Sequence, residues 1–452
     1  MNLTGTRIHV IGLGSLGTGQ ACARVLACRG AEVEVSDCKP AAELSAQVKS
    51  LADLPITFHL GEQAYANIEA AQLVIPSPGV PLDIPPLQRA RTAGALVVSE
   101  IEVAFWIAPG PIIAVTGTKG KTTTTTLLGR LLEAGGRHAL VGGNIGIPLI
   151  QLADQAGPRD LLVAEVSSFQ LEGIRDFRPH IAVFLNFFAD HFDRHGGLEA
   201  YRQAKARIFA NQQSRDFAIL NFDEPQVKEL AGGIKSQVIG FALRHAAEAQ
   251  VKNGFLRVCG RRVCKTDQVK LRGKHNLYNV LAALAAAHCA GADLEKAGEV
   301  LADFRGVANR LEEVGVVNGV TFINDSQATV PEAVKVALEA MEAPTVLIAG
   351  GRPKIEDFSP VAEAIVKHAK ALVVIGEAAE LISAAVKPRG FAAVHHAASL
   401  PEAVQIAFSL AQPGEIVLMS PACASFDMFR NMAHRGEVFR QAVRALAEKG
   451  ER

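Results

Sequence analysis

The sequence predicts an α/β protein of three domains, each built on a largely parallel sheet. Short, β-branched apolar runs alternate with alanine-rich segments of helical periodicity along the whole chain, a pattern typical of parallel strands joined by helices. The chain has 452 residues, too many for one ordinary hydrophobic core. Polar or glycine-bearing sequences follow many of the apolar runs, and open α/β sheets bind ligands at the carboxyl ends of their strands. We therefore expect the ligand clefts there.

The predicted strands are short apolar runs bounded by turn residues. In chain order they are RIHVIGL, EVEVSD, LVIPSP, IIAVTGT, LLVAEVSS, IAVFLN, FAILNFD, VTFIND, TVLIAGG, ALVVIGE and EIVLMSP. Residues 235–272 alternate in the manner of antiparallel hairpins. Candidate domain boundaries near residues 108 and 307 give the predicted domains 1–107, 108–306 and 307–452.

Composition limits the class of ligand and the compartment. Lysine plus arginine equals aspartate plus glutamate, at 46 each, so we expect no general attraction to nucleic acid or an anionic membrane. No apolar run approaches the roughly 18 residues of a membrane span, and no hydrophobic signal segment opens the chain. The seven cysteines include no CxxC pair, which predicts reduced thiols in the cytoplasm.

The first glycine-rich loop follows the first predicted strand and carries Gly12, Gly14 and Gly17. Asp37 ends the next strand, about 20 residues further on. A strand, a GxGxxG loop, a helix and then an acidic residue also form the dinucleotide fingerprint. This motif alone therefore favours an NAD-dependent oxidoreductase.

The second glycine-rich loop, TGTKGKTT, follows the strand IIAV and opens a helix. Gly117 and Gly120 allow successive backbone N–H groups to point at phosphate oxygens. Lys121 would reach the β- and γ-phosphates, and Thr122 would offer its hydroxyl to Mg²⁺. Val115 stands where the standard loop has its first glycine, so the motif is a compact variant, and it predicts ATP binding.

Two more strands end in residues suited to a magnesium site. Glu165 ends the strand LLVAE, and Asp190 and His191 follow the strand IAVFLN. A carboxylate at the end of a buried strand is costly unless it binds a cation or a base. Lys205 lies on a later helix, and its spacing alone assigns it no catalytic role. A dehydrogenase has no use for this second set, which counts against the oxidoreductase.

The chain resembles the Mur ligases along its whole length. The matching segments are GLGSLG, SPGV, TGTKGKTTT, GGNIG, EVSSFQLE, LNFFADHFDRH, YRQAKARI, GKHNLYN, NDSQAT, GGRPKIEDF and SPACASFDMFRNMAHRGEVF. The resemblance implies a Rossmann-like N-terminal domain for the UDP part of the substrate. It also implies a central P-loop-type ATPase domain with a parallel sheet and a C-terminal dinucleotide-fold domain.

The resemblance is greatest to the branch of the family that adds D-glutamate to UDP-N-acetylmuramoyl-L-alanine (UDP-MurNAc-L-Ala). It implies that ATP phosphorylates the substrate carboxylate and that the amino acid then attacks the acyl phosphate, in peptidoglycan synthesis. The implied cofactors are ATP and a pair of Mg²⁺ ions, with Lys205 carbamylated to become a further metal ligand. The implied state is a cytoplasmic monomer with small-molecule substrates only.

The resemblance also implies a role for individual residues. The catalytic residues are Lys121, Asn144, Glu165, His191 and Lys205, and the metal ligands are Thr122, Glu165, His191 and Lys205. The nucleotide contacts are Thr116, Gly117, Thr118, Lys119, Gly120, Lys121, Thr122, Thr123, Asn276, Asn279, Arg310 and Asp325. The substrate contacts are Gly14, Ser15, Leu16, Gly17, Asp37, Lys39, Ser77, Gly79, Asn144, Ser167, Thr329, Lys354, Ser425 and Met432.

The chain departs from the family pattern where the amino acid is expected to bind. Gln327 replaces a lysine, Val330 an asparagine and Met432 a frequent phenylalanine, whereas Lys354 keeps its charge. A charge-assisted hydrogen bond contributes about 1.5–3 kcal/mol. The sequence therefore leaves two hypotheses open: weaker binding of D-glutamate, or a different acceptor such as L-glutamate.

Overall fold

A computed structural model describes residues 3–13, 17–188, 197–271, 273, 276–353 and 357–450. The chain divides into two compact units, Met1–Val269 with Leu277–Val300 and Lys270–Asn276 with Leu301–Arg452. Within the described residues the strands form three sheets, of five, nine and six strands. The first two sheets lie in the first unit and the third lies in the second unit. The α/β class is confirmed, and the exact domain bounds stay predictions.

The first sheet is entirely parallel, with strand order β3-β2-β1-β4-β5. This order matches the first five strands of the dinucleotide-binding order 3-2-1-4-5-6. Its strands are β1 (Arg7–Ile11), β2 (Glu32–Asp37), β3 (Ile56–Leu60), β4 (Leu73–Pro76) and β5 (Leu96–Val97). Its helices are α1 (Thr18–Cys28), α2 (Ser45–Lys49), α3 (Pro85–Thr92) and α4 (Glu100–Ile107).

The second sheet has the order β14-β13-β12-β11-β10-β9-β6-β8-β7. Its strands are β6 (Ile112–Thr116), β7 (Ala139–Gly143), β8 (Leu161–Glu165), β9 (Ile181–Phe184), β10 (Phe217–Asn221), β11 (Gln237–Ala242), β12 (Ala249–Lys252), β13 (Phe255–Val258) and β14 (Arg261–Lys265). The accompanying helices are α5 (Lys121–Ala134), α6 (Leu149–Gln155), α7 (Ser168–Glu172), α8 (Leu198–Ala206), α9 (Pro225–Lys228), α10 (Asn276–Cys289) and α11 (Ala297–Asp303).

The segment 235–272 differs in part from the prediction of antiparallel hairpins. Strands β12, β13 and β14 do pair antiparallel. Strand β11, however, pairs parallel with β10, and β12 pairs parallel with β11. Alternating polarity reports that one face of a strand is exposed and says nothing about the direction of its neighbour, so the pattern could not separate the two arrangements.

The third sheet has the order β15-β16-β20-β17-β18-β19 and is parallel except for the β15–β16 hairpin. Alternate residues of its central strands enter two separate cores, one on each face. Its strands are β15 (Glu312–Val317), β16 (Val320–Asn324), β17 (Thr345–Gly350), β18 (Ala369–Ile375), β19 (Val394–His396) and β20 (Ile416–Met419). Its helices are α12 (Pro331–Glu339), α13 (Ser359–His368), α14 (Ala379–Val386), α15 (Leu400–Leu410) and α16 (Met432–Gly450).

The strands that the sequence did not predict are short or carry polar and glycine residues. They are β3, β5, β7, β15 and β19, with the sequences ITFHL, LV, ALVGG, EEVGVV and VHH. Each pairs at an outer position of its sheet, where burial on both faces is not required. These segments therefore form strands because they pair with a neighbouring strand, since their own composition gives little indication of a strand.

Two buried carboxylates on α4 join it to the helices and loops around the second sheet. Glu102 accepts hydrogen bonds from the backbone N–H groups of Arg175, Asp176 and Phe177, at 2.7–2.9 Å. Glu100 accepts one from the backbone N–H of Ile150 at 2.6 Å, in the first turn of α6. Burial raises the pKa of Glu100 to about 7, against the effect of these hydrogen bonds. The first unit thus contains a buried carboxyl group whose pKa lies near neutrality.

Substituting Glu100→Gln should change how stability depends on pH. The pKa of Glu100 is raised from 4.5 to about 7 on folding, so the folded state holds a proton that the unfolded state releases. Stability from this group is complete below pH 4.5 and falls as the pH rises toward 7. Between pH 4.5 and 7 we therefore expect the free energy of unfolding of the variant to rise by about 3 kcal/mol relative to that of the parent. Parallel pH profiles from urea unfolding would contradict this.

Candidate active site

The second glycine-rich loop lies between β6 and α5, as predicted. Gly117 and Gly120 have φ angles of 150° and 85°, values that side chains other than hydrogen rarely tolerate. A Cβ atom at Gly120 would also clash with the carboxamide of Asn279. Helix α5 begins at Lys121, directly after the loop, so the unpaired N–H groups of its first turn lie beside it. This arrangement suits a phosphate group.

Asn186, at the tail of β9, holds the loop in place. Its side-chain oxygen accepts a hydrogen bond from the Lys119 N–H at 2.9 Å, and its amide nitrogen donates to the Lys119 carbonyl at 3.0 Å. The Thr118 N–H donates to the Asn186 carbonyl at 3.1 Å. Asn186 was not predicted as a site residue, although a polar residue at the end of an apolar strand is the signal that identified Glu165.

Two lysines converge on the loop. The Lys121 ammonium donates to the carbonyls of Gly117 and Thr118, at 3.1 and 3.2 Å. The Lys205 ammonium donates to the same Gly117 carbonyl at 3.0 Å, and it lies 4.6 Å from the ring centre of Tyr201. Lys205 is only 2% exposed. These charges give a net-neutral chain a local site for an anionic ligand.

Glu165 bonds to two other residues assigned to catalysis or metal binding. It is 3% exposed and ends β8. One carboxylate oxygen accepts a hydrogen bond from the Thr122 hydroxyl at 2.7 Å, and the other accepts one from the Asn144 amide at 3.1 Å. Hydroxyl and carboxylate oxygens are the ligands that Mg²⁺ prefers. The set of donors fits the implied cation.

One of the implied metal ligands falls outside the part of the chain that the structure describes. His191 lies outside the described residues, as do Asp190 and His195. Within the described residues there is no group of three or more histidine, cysteine, aspartate or glutamate side chains able to hold a metal ion. The described part of the site therefore consists of Thr122, Glu165 and Lys205.

Other predicted site residues of the central domain stabilise the backbone around the site. The Thr116 hydroxyl donates to the Val166 carbonyl at 2.9 Å and so links β6 to the tail of β8. Thr123 is buried on α5. Ser167 caps α7, and it forms a capping box with Gln170. This box fixes the turn that follows Glu165.

In the first sheet, the predicted substrate residues gather around the first glycine-rich loop. The Ser77 hydroxyl donates to the Gly12 carbonyl at 2.6 Å. The two carboxylate oxygens of Asp37 accept hydrogen bonds from the backbone N–H groups of Leu13 and Lys39, at 2.9 and 3.0 Å. The tails of β1, β2 and β4 thus meet at one edge of the sheet, where a ligand is expected.

Gly17 and Gly79, two further predicted residues of the first sheet, lie in segments that follow strands. Gly17 has a φ angle of 78° and precedes α1. Gly79 lies in the turn closed by a hydrogen bond from the Val80 N–H to the Ser77 carbonyl, at 2.8 Å. Gly14, Ser15 and Leu16 lie outside the described residues.

In the second unit, Asp325 follows β16 and is buried. Its carboxylate accepts hydrogen bonds from the Leu311 N–H at 3.2 Å and from the Ser420 hydroxyl at 2.8 Å. Burial raises the pKa of Asp325 to about 7, opposed by these bonds and by the charges of Arg310 and Arg435. Asp325 and Arg310, two predicted nucleotide contacts, are thus coupled electrostatically.

Arg435 is fully buried and joins the tail of β16 to the loop after β20. Its guanidinium donates to the hydroxyl and carbonyl of Ser326, at 3.0 and 2.9 Å. It also donates to the carbonyls of Cys423, at 3.1 Å, and Ala424, at 3.3 Å. Burial lowers the pKa of Arg435 to about 10. Arginine on an amphipathic helix carries no sequence signal of burial, so this residue was missed.

Three of the four predicted amino-acid contacts are described, and they flank this Arg435 cluster. Ser425 is buried directly after Ala424, and the Met432 carbonyl accepts a hydrogen bond from the Ser326 hydroxyl at 2.7 Å. Thr329 donates its N–H to the Gln327 carbonyl at 2.9 Å. The side chain of Met432 is exposed. Lys354 lies outside the described residues.

Comparison with known proteins identifies the family. Three family models match consecutive parts of the chain: the Mur ligase MurD-like N-terminal domain (residues 6–99), the Mur ligase middle domain (115–287) and the Mur ligase glutamate ligase domain (309–423). The UDP-N-acetylmuramoylalanine--D-glutamate ligase of Pelotomaculum thermopropionicum is 44% identical over 447 residues, 98% of each chain. The chain belongs to the Mur ligase family.

Other Mur ligases share this length and fold. The Geotalea daltonii enzyme of the same name is 43% identical, over 99% of each chain. Two solved structures from Thermotoga maritima show the same fold. UDP-N-acetylmuramate-alanine ligase MurC has a TM-score of 0.61 and 22% identity, over 97% of this chain and 99% of that one. MurF ligase in complex with ADP has a TM-score of 0.58 and 16% identity, over 99% and 96%.

The helices of this Mur ligase are short or polar. None within the described ranges has the length and apolar character needed to span a bilayer.

Substituting Arg435→Lys should destabilise the second unit by about 3 kcal/mol, because three ammonium donors cannot replace the planar guanidinium and would leave buried carbonyls unpaired. Arg440→Lys on the same helix is the matched control. Arg440 is partly exposed and pairs with Glu312 at 2.8 Å, so we expect a loss below about 1 kcal/mol. Thermal unfolding with hydrogen exchange over residues 416–426 would report the difference. Equal losses of stability in the two variants would contradict the structural role of the buried Arg435 guanidinium.

Proposed function

We propose that this Mur ligase joins D-glutamate to UDP-MurNAc-L-Ala at the expense of ATP, in the cytoplasmic part of peptidoglycan synthesis. The observation that carries the proposal is the hydrogen bond between Thr122 and Glu165, which links a phosphate-binding loop to a buried carboxylate. Relatives that match nearly the whole chain are named for this reaction. Membership of this family also counts against the oxidoreductase hypothesis, which the first loop alone would favour.

The chemistry requires an activated carboxylate. The carboxylate of the alanyl group is a poor electrophile, so the γ-phosphoryl group of ATP is transferred to one of its oxygens and ADP leaves. The uncharged amine of the amino acid then attacks the acyl carbon and forms a tetrahedral intermediate. That intermediate loses inorganic phosphate and a proton, which gives the amide. Lys121 would stabilise negative charge on the transferred phosphoryl group.

Thr122 and Glu165, with His191 and Lys205, would hold Mg²⁺, which neutralises phosphate charge when it is bound. The oxygen atoms of Thr122 and Glu165 support this assignment, and Lys205 would supply oxygen ligands as its carbamate. Asn144 donates to Glu165 and would orient that carboxylate beside the reacting groups. The pair of Mg²⁺ ions and the carbamylation of Lys205 belong to the same proposal.

The other ligand contacts are assigned by domain. We propose that the first loop binds the UDP diphosphate, with Asp37 and Lys39 near the uracil. Asn276, Asn279, Arg310 and Asp325 would contact adenine or ribose, and Thr329, Lys354, Ser425 and Met432 the amino acid. The proposed working state is a monomer.

The decisive experiment is phosphate release from ATP and Mg²⁺ with UDP-MurNAc-L-Ala, scanned over D-glutamate, L-glutamate, D-aspartate and no amino acid. The proposal requires turnover that depends on D-glutamate. Turnover with L-glutamate alone would retain the ligase chemistry and reassign the acceptor. No turnover with any of them, by folded protein that binds ATP, would exclude UDP-MurNAc-L-Ala as the substrate.

Carbamylation of Lys205 can be detected directly. A carbamate would convert the buried ammonium into an anionic oxygen donor beside Gly117, where a metal ligand is needed. We expect ¹³C-bicarbonate to give one protein-bound carbonyl resonance in the parent and none in Lys205→Arg, because a guanidinium does not form this adduct. The same spectrum from both proteins would exclude the modification.

Substituting Gln327→Lys tests the departure from the family pattern. A new ammonium group near the substrate carboxylates should lower the KM for D-glutamate roughly tenfold, the value of one charge-assisted hydrogen bond. Gln327→Met, of similar length and without charge, should not lower it. If the lysine variant has the parental KM and the parental preference among amino acids, Gln327 does not determine specificity.

A further inference from the structure

Asp223 lies two residues beyond the end of β10 and is completely buried. One carboxylate oxygen accepts hydrogen bonds from the backbone N–H groups of Leu243 and Arg244, at 2.7 and 2.9 Å. The other accepts one from His245 at 2.6 Å. Burial opposes ionisation, but these bonds prevail and lower the pKa of Asp223 to about 2. It is therefore a permanently charged acceptor at the carboxyl edge of the second sheet.

The hydroxyl of Tyr278 donates to this carboxylate at 2.9 Å. Tyr278 lies in the first turn of α10, and the next residue in the chain is Asn279. The Asn279 carboxamide packs so closely against Gly120 that no Cβ atom would fit between them. The hydrogen bond from Tyr278 therefore fixes the helix end that packs against the phosphate loop.

The same carboxyl edge supports the phosphate loop from the other side. The Asn221 amide donates to the Leu185 carbonyl at 2.9 Å, and its oxygen accepts from the Asp223 N–H at 3.0 Å. Leu185 precedes Asn186, which holds Lys119 through two hydrogen bonds. Asp223 thus bonds directly to the helix that packs on the loop, and it is linked through Asn221 to the segment that braces the loop.

We propose that Asp223 and Tyr278 are positioning residues for the nucleotide. Their hydrogen bond sets the distance between Asn279 and the loop at Gly120, and neither residue contacts the ligand. The inference rests on the proposed function, because it takes ATP as the ligand of this loop. No motif contains this pair, since the two residues are 55 positions apart and meet only in the folded chain.

Asp216 provides an internal comparison. It lies at the amino end of β10, and it is buried like Asp223. It accepts hydrogen bonds from Arg178, His180 and the Gln213 N–H, at 2.7–3.2 Å. The two ends of one strand thus carry similar carboxylate clusters. Only the cluster at Asp223 lies at the edge that holds the glycine loop. Comparing substitutions at Asp223 and Asp216 therefore distinguishes a role in positioning from a role in stability.

The first test is Tyr278→Phe, which removes one hydroxyl and keeps the ring. We expect the KM for ATP and the dissociation constant of a fluorescent ATP analogue to rise about three- to tenfold. The KM values for UDP-MurNAc-L-Ala and D-glutamate should not change. Ser236→Ala is the matched control: it removes a buried hydroxyl that donates to Gln212 at 2.7 Å, at the far end of the sheet. We expect nucleotide binding to stay parental in that variant.

The second test compares Asp223→Asn with Asp216→Asn. Both should lower the melting temperature, but only Asp223→Asn should weaken nucleotide binding. Adding Tyr278→Phe to Asp223→Asn should weaken it no further, because the two residues act through one contact. Parental ATP affinity in both Tyr278→Phe and a folded Asp223→Asn would overturn the inference. Equal weakening by Asp216→Asn would also overturn it, since stability alone would then explain the effect.

The binding measurement separates this inference from the proposed function. If the parent binds the ATP analogue but turns over no amino acid, the proposed ligase reaction fails while the positioning role can still be read from Tyr278→Phe. If the parent turns over ATP with D-glutamate and Tyr278→Phe binds ATP as the parent does, the reaction stands and the positioning role fails.

Discussion

The buried charge of Glu165 is the constraint on which the central site depends. A carboxylate removed from water is costly unless hydrogen-bond donors or cations surround it. The Thr122 hydroxyl and the Asn144 amide supply two donors. Because these residues belong to the start of α5 and the turn after β7, one charge joins three segments of the chain. The phosphate loop, the carboxylate and the turn therefore cannot move independently of one another.

A similar arrangement recurs in each sheet. A polar side chain just past a strand end hydrogen-bonds the backbone of a neighbouring loop: Asp37 bonds Leu13, Asn186 bonds Lys119 and Asp325 bonds Leu311. Parallel strands end at one edge, where backbone groups beyond the ladder lack partners. Side chains that satisfy these groups also fix the loops in shape. Bonds of this kind reduce the number of conformations open to the bonded loop segments, which lowers the entropic cost of binding a ligand there.

Local charge, rather than overall charge, equips the protein for anionic ligands. The chain carries equal numbers of acidic and basic residues, yet Lys121 and Lys205 both bond the Gly117 carbonyl. In the second unit, Arg435 is buried among backbone carbonyls and supports loops that carry residues assigned to substrates. Positive charge thus serves two purposes, as a candidate ligand contact in the central domain and as a structural clamp in the second unit.

The sequence by itself determined the α/β class, the family and the position of the glycine loop, because these depend on local patterns: apolar period, glycine spacing and residues that follow strands. It also predicted that Thr122 and Glu165 lie close together, as their hydrogen bond confirms, since parallel strands bring their tails to one edge. Only the tertiary structure decided the direction of β11, the burial of Arg435 and the contact between Asp223 and Tyr278. These features depend on which distant segments pack together, and alternation or helical period carries no information about the identity of a neighbour.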